Sequence, residues 1–302
     1  MKNPKKTHLL SLIFAMLIFG TIGVFRKQIL IPSSILAMAR GFIGSLFLFL
    51  IMLLRKKKFS PQAIKKNLLL LILSGAMIGF NWILLFEAYN HTSVAAATLC
   101  YYAAPIFVII VSPFMFKERI TLLKFFCVMT AVFGMVLVSG ITKEGFGGID
   151  ELIGIFFGLG AALLYASVII LNKKIKDVPS YDKTIIQLFS AALVLLPYTL
   201  LTEDFSSFAL SARSFLPILI MGIFHTGIAY ALYFNSIEKL SAQTVALLSY
   251  IDPITAILLS QFILREDMGK EGVIGAFLVL GAAILSELPQ RRHKKAVFNK
   301  EV

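Results

Sequence analysis

Apolar runs close to 20 residues long follow one another along the chain, separated by short polar breaks. They cover about 8–25, 33–54, 67–89, 94–116, 121–141, 151–171, 183–201, 214–235, 242–264 and 270–288. At about 1.5 Å of rise per residue, each is long enough to cross a hydrocarbon core of about 30 Å. Too little chain is left between them for a soluble domain of any size. The pattern predicts an all-α integral membrane protein with ten transmembrane helices.

Composition agrees with the pattern. Hydrophobic residues make up 58% of the chain and charged residues 15%, with a mean hydropathy of +0.87, against about 45–50% apolar and about 25% charged in ordinary globular proteins. The first apolar run, "LLSLIFAMLIFGTIGVF", follows "MKNPKK". It is too long for a typical secretory h-region and carries no small-x-small cleavage site before Arg26, so it is expected to stay as the first helix. Cys100 and Cys127 both fall inside apolar runs, which supports neither a disulfide framework nor a zinc site. No metal and no cofactor is expected.

The net charge of +13 raises the question of a nucleic-acid partner, and its distribution answers it. With the N-terminus inside, 22 lysines and arginines fall in segments on the cytoplasmic side, such as Arg55, Lys56, Lys57 and Lys58. Six fall on the other side (Arg26, Lys27, Lys143, Arg213, Arg265 and Lys270), and Arg40 alone lies within a span. This is the positive-inside bias. The basic charge sets orientation, so no nucleic acid is needed; the expected partners are the lipid bilayer and a small-molecule substrate. Both termini are expected in the cytoplasm, the chain in the plasma membrane, as a monomer or homodimer.

Shifted by 148 residues, part of the chain lies over itself. "GFNWILLFEAYNHTSVAAATLCYYAAPIFVIIVSPFMFKE" (79–118) aligns with "GIAYALYFNSIEKLSAQTVALLSYIDPITAILLSQFILRE" (227–266), pairing Tyr102 with Tyr250, Pro105 with Pro253 and Glu118 with Glu266. The chain therefore reads as a five-helix repeat over 1–144, a second over 145–291, and a basic tail over 292–302. An odd number of helices per half forces the copies into opposite orientations, the arrangement of inverted repeats found in secondary transporters. Pro105 and Pro253 fall mid-span in "YYAAPIF" and "SYIDPIT". Each removes a helix hydrogen bond, and matched interruptions in two halves point to a binding site.

These paired segments, each a proline helix ending at a Lys/Arg-Glu pair, resemble the EamA branch of the drug/metabolite transporter superfamily over nearly the whole chain. The first span departs from many relatives in carrying Phe19 where they have Trp. The resemblance implies transport of small metabolites, often export of amino acids or related compounds, with no ATP-binding domain. The sequence itself lacks a GxxxxGK[ST] loop.

Polar residues inside the spans are few enough to name. Arg40 lies about seven residues from the outer end of span 2 and Glu87 about three from the outer end of span 3, so their depths differ by only about 6 Å. They are expected to pair, or to line an outward cavity that contacts a zwitterionic substrate, with Glu87 facing water. His225, in "LIMGIFHTGIAYALY", and Asp252, in "LSYIDPIT", lie near mid-membrane in consecutive spans. An ionisable residue at that depth is a functional expectation by default, and a His/Asp pair suits a proton relay. Trp82, Tyr101, Tyr102, Tyr165, Tyr230 and Tyr250 are candidate cavity walls; interfacial anchoring is the competing role for isolated Tyr or Trp near a span end. The candidate substrate residues are thus Arg40, Trp82, Glu87, Tyr101, Tyr102, Pro105, Tyr230, Tyr250 and Pro253, with Asp252 and His225 for proton coupling. Asn81, Gln187, Asn235 and Gln243 form a second tier.

The expected function is a secondary transporter, with uptake of a small organic metabolite as the alternative to export. A membrane-embedded enzyme would need a cluster such as HExxH, GxSxG or paired mid-membrane aspartates, and the sequence has none. A channel would not need two matched halves.

Overall fold

The computed structural model describes residues 4–29, 31–104, 107, 111, 122–138, 148–203, 212–237, 240, 248–249 and 251–287. In chain order these give α1 (Pro4–Gly20), α2 (Ile22–Lys27), α3 (Ser33–Leu54), α4 (Pro61–His91), α5 (Val94–Tyr101), α6 (Leu122–Val138), α7 (Ile149–Lys174) and α8 (Ser180–Thr202). Then come α9 (Ala212–Ile220), a π-helical stretch (Met221–Ile228), α10 (Ala229–Ile237), α11 (Ile251–Leu259) with a π-helical end (Ser260–Leu264), and α12 (Gly269–Glu287). Every one of the ten apolar runs meets a helix, and the described residues contain no strand. Six of these helices are long and apolar enough to cross a membrane, among them Lys6–Lys27, Pro61–His91 and Phe215–Tyr233.

Local signals account for several boundaries. Pro61 opens α4, where its missing N–H costs no helix bond. Ser93 caps α5, its hydroxyl accepting from the Ala96 amide at 3.1 Å, the usual device for an unpaired first-turn donor. Within the π-helical stretch, the Thr226 hydroxyl donates to the Met221 carbonyl at 3.0 Å, which re-satisfies an acceptor in the widened turn. Such bulges recur at functional sites.

Helix packing repeats the internal symmetry of the sequence. If the halves are exchanged, α1–α2 takes the place of α7, α3 of α8, α4 of α9–α10, α5 of α11 and α6 of α12. The contacts obey this exchange: α4 packs on α7 as α10 packs on α1, and α4 on α8 as the Met221–Ile228 stretch packs on α3. Likewise α5 meets α7 as α11 meets α1, while α3–α8, α5–α11 and α6–α12 are self-matched pairs. The halves thus interlock, and the main core, with Leu36, Trp82, Phe86, Leu188, Leu195 and Met221, draws on both. Around the outside, Phe14, Leu69, Phe156 and Phe277 stay exposed. In water such a surface would drive association; in a bilayer it is the lipid-facing side.

Candidate functional site

Span 1 does not run through as one helix. It breaks at Thr21, between α1 and α2, where the Thr21 hydroxyl donates to the Ile18 carbonyl at 2.7 Å. That hydroxyl has one proton, so toward His225 Nε2, 2.8 Å away, it can only accept. The ring's Nε2 therefore carries a proton, and its buried Nδ1 has no hydrogen-bond partner among the described residues. His225 is completely buried, with Phe25 edge-on at 4.9 Å. One residue earlier, Gly20 meets the backbone of Asp252, the other mid-membrane ionisable residue. A Cβ there would lie 2.7 Å from the Asp252 carbonyl oxygen and 2.5 Å from Thr255 Cβ, so only glycine lets α1 approach α11 so closely.

The expected His225–Asp252 contact is not formed. The Asp252 carboxylate instead accepts from the Tyr102 hydroxyl at 2.5 Å, and the α1 break touches both residues, His225 through Thr21 and Asp252 through Gly20. Similar depth in consecutive spans did not make them neighbours, because the first helix of the other half contacts each of them.

Arg40 is 2% exposed and its environment is aromatic. Its guanidinium carbon lies 4.2 Å from the Trp82 ring centre and 5.4 Å from that of Phe86. Nε donates to the Thr226 hydroxyl at 3.0 Å. Among the described residues no carboxylate lies within ion-pair distance of it; the two ion pairs found are Lys27–Glu266 and His91–Asp150. The anticipated Arg40–Glu87 pair is therefore absent, and the reason is angular. Trp82 and Phe86 are four apart and share a face of α4. Glu87 is turned about 140° from Trp82 at about 100° per residue. It is half-buried and accepts from Asn90 Nδ2 at 3.2 Å. Depth was matched; the face was not.

Tyrosines fill the space between these charges. Tyr101 stacks on Tyr165 at 5.3 Å and meets Tyr102 edge-on at 5.9 Å. Phe19 sits edge-on to Tyr230 at 5.4 Å and to Tyr233 at 6.3 Å, so it is part of this wall. Tyr89, Tyr101 and Tyr230 lie within electrostatic reach of both Arg40 and Asp252. Pro253 is buried beside Asp252; Pro105 and Tyr250 lie outside the described residues, as do Gln243 and the side chain of Asn235. Asn81 and Gln187 are taken up structurally. Asn81 donates to the Ala161 carbonyl at 2.5 Å, and Gln187 donates to Ser74 and Asn172 at 2.7 and 2.9 Å.

Polar contacts join the halves at both ends of the bundle. At the end carrying residues 26–34, 87–94 and 266, polar contacts tie the halves: Lys27 to Glu266 at 3.5 Å, the Val94 amide to Glu266 at 2.8 Å, and Ser34 to Glu203. At the opposite end the halves are tied as well, the Ser60 amide donating to Asp182 at 2.9 Å and Asn67 Nδ2 to the Lys176 carbonyl at 3.0 Å, beside a cleft lined by Phe47, Ile51, Arg55, Tyr181, Ile228, Ala231 and Leu232.

The sequence matches the EamA-like transporter family twice, over residues 6–140 and 152–288. The chain belongs to that family, within the drug/metabolite transporter superfamily. The Bacillus subtilis (strain 168) protein YxxF, described as an uncharacterized transporter, is 31% identical over 260 residues, which span 85% of this chain and 82% of YxxF. YoaV of the same organism, described likewise, is 24% identical over 95% of this chain and 98% of its own. A solved crystal structure shares the fold, with a TM-score of 0.67 at 19% identity, covering 93% of this chain and 96% of the other. As a member of this transporter family it has two copies of the five-helix unit, and the exchange symmetry of its contacts is the structural expression of those copies.

Residues the sequence reading passed over prove central to the geometry: Gly20, Thr21, Phe86, Thr226 and the buried Arg26. Only Arg26 carried a visible signal, and its position at the end of an apolar run made it look like a loop charge.

Proposed function

We propose that this member of the EamA-like family exports amino acids or related small zwitterionic metabolites across the plasma membrane by alternating access, with both termini in the cytoplasm. One observation carries the reading. A buried arginine without a paired acid among the described residues and a part-buried aspartate held by a tyrosine lie within electrostatic reach of the same three tyrosines. A solute with a carboxylate and an ammonium group supplies the missing partners, its carboxylate on Arg40 and its ammonium toward Asp252. Guanidinium–carboxylate pairs are the geometry for which arginine is suited. The aromatic walls fit the apolar part of such a solute. Matched halves favour exchange of two conformations about this centre. Asp252 is the proton carrier of this proposal, with its protonation linked to loss of the Tyr102 hydrogen bond; His225, bonded to Thr21, serves to position the α1 break.

Purified protein in proteoliposomes, loaded with unlabelled L-amino acids and given the ¹⁴C-labelled mixture outside, should show counterflow. Amino-acid amides, which lack the carboxylate, should not compete. Equal competition by amides would remove Arg40 from the recognition site, and absence of counterflow would remove the class of solute.

A further inference from the structure

Arg26 raises the same difficulty as Arg40. It is 4% exposed, although it lies in the last turn of the short helix α2 at the end of the bundle that the charge bias assigns to the outside. Its Nη1 donates to the Ile29 carbonyl at 2.7 Å and its Nη2 to the Ser33 hydroxyl at 2.9 Å. Both acceptors are neutral, so neither compensates the charge. The Nε–H is buried with no partner among the described residues, which leaves the Nε edge of the guanidinium, the side a carboxylate engages, without an acceptor. Burying a guanidinium unpaired is costly, and an orphaned buried donor calls for an explanation.

Its position supplies one. The Arg26 guanidinium carbon lies 5.8 Å from the Phe86 ring centre, and that of Arg40 lies 5.4 Å from the same centre. The two cations are therefore no more than about 11 Å apart, with one fully buried phenyl ring against both. The next residue, Lys27, is part-exposed and paired with Glu266. From the centre outward the order is Arg40, Phe86, Arg26, Lys27. Glu87 acts electrostatically on Arg26 without reaching ion-pair distance, while its carboxylate is held by Asn90.

We propose that Arg26 is a second carboxylate-binding site, occupied by the solute between Arg40 and the outer solution. This rests on the zwitterion reading of the central site. The solute's carboxylate leaves Arg40 as Phe86 turns aside, and the Arg26 Nε and Nη2 hydrogens take it up. Glu87 is the competing anion that lowers affinity there and promotes release. Arg26 is thereby a site met only on the outer leg of the path, whereas Arg40 is met from either side.

Sided transport tests this. Uptake of the ¹⁴C-labelled mixture of common L-amino acids is measured in right-side-out and in inside-out membrane vesicles containing the full chain, giving an apparent KM for each face. Loss of charge-assisted hydrogen bonds to a carboxylate corresponds to about tenfold in affinity or more, so Arg26→Gln should raise the outer-face KM by about that factor. Its inner-face KM should stay within about twofold of wild type, because Arg40 is intact. Arg26→Lys, which keeps the charge, should recover part of the loss. Glu87→Gln should act in the opposite sense and lower the outer-face KM. An equal rise at both faces, no rise, or a rise confined to the inner face overturns the proposal. Should Arg26→Gln fail to fold, Glu87→Gln decides, and an unchanged outer-face KM overturns it. Wild-type vesicles that carry none of the mixture would sink the zwitterion reading itself, and this site with it, a result distinct from symmetric variants of a working transporter.

Discussion

The guanidinium carbon of Arg40 lies 4.2 Å from the centre of the Trp82 ring, and Trp82 is the single tryptophan of the chain. Emission from this protein therefore reports on Arg40. A carboxylate arriving at the guanidinium changes the charge seen by the indole, so a bound amino acid should shift or quench the emission saturably. Arg40→Gln removes charge-assisted hydrogen bonds of roughly 1.5–3 kcal/mol, which corresponds to roughly 10- to 100-fold weaker binding. The fluorescence titration should flatten accordingly. An unchanged titration in Arg40→Gln would place the carboxylate elsewhere.

How much of this was legible in the sequence depends on which quantity is asked for. Apolar runs, their number and their repetition are written directly in hydropathy, because burial of backbone polar groups in lipid permits little but helices. The cost of a charge in hydrocarbon made Arg40, Asp252 and His225 conspicuous, and all three prove buried or bonded near the centre. Partnership was not legible. Glu87 matched Arg40 in depth, but its azimuth on α4 turns it away, and the azimuth that faces a neighbour is set by packing. His225 found Thr21, a short hydroxyl residue in an apolar run that nothing marked in advance. Arg26 was read as a loop charge because α2 resumes after the break at Thr21 and carries it back into the bundle.

The Tyr102 hydroxyl donates to Asp252 at 2.5 Å, and that bond should control coupling. Asp252→Asn mimics the permanently protonated acid. It should abolish pH-gradient-driven accumulation while sparing amino-acid exchange, since exchange needs no net proton movement. Tyr102→Phe removes the donor without touching the acid, so it should shift the pH dependence of driven transport and leave exchange largely intact. Full pH-driven transport in Asp252→Asn, measured alongside a loss in Glu87→Gln, would transfer the coupling role to Glu87.

Gly20 offers a test of packing. An added methyl would stand 2.5 Å from Thr255 Cβ and 2.7 Å from the Asp252 carbonyl oxygen, and the obstacle includes backbone that cannot swing away. Overpacking of this kind costs about 1–3 kcal/mol. Gly20→Ala should therefore lower the thermal midpoint in detergent. Gly281→Ala is the control: a methyl there meets nothing within 4 Å among the described residues, and alanine gains up to about 1 kcal/mol in helix propensity. Equal midpoints for the two variants would mean that α1 and α11 are free to separate at this level.

The last prediction concerns Lys27 and Glu266, which join the first half to the second at the end assigned to the outside. Glu266 collects three partners from three places. Lys27 Nζ lies 3.5 Å from Oε1, while the Val94 amide and the Ser260 hydroxyl donate to Oε2 at 2.8 and 2.5 Å. Lys27 Nζ also donates to the Thr92 carbonyl at 3.1 Å. The carboxylate thus draws together α2, the start of α5 and the end of span 9, and opening this end must break those bonds. Both charges keep some solvent contact, so the ion pair itself contributes no more than about 1 kcal/mol, and the amide and hydroxyl bonds to the charged oxygen contribute the larger share. Glu266→Gln keeps the shape and weakens every bond to the carboxylate. A loss of about 1.4 kcal/mol from the closed form alone moves the closed-to-open ratio about tenfold. The readout is a cysteine at Phe86, which is completely buried in the tied state, in a background with Cys100 and Cys127 replaced by serine. Labelling from the outside by a membrane-impermeant maleimide should be faster in Glu266→Gln by up to that factor. Exchanging the two charges, Lys27→Glu with Glu266→Lys, should slow it again only in part, because lysine at 266 cannot accept from the Val94 amide. Labelling that is unchanged in Glu266→Gln would show that the bonds to Glu266 do not hold this end closed, and the restraint would pass to the Ser34–Glu203 contact beside it.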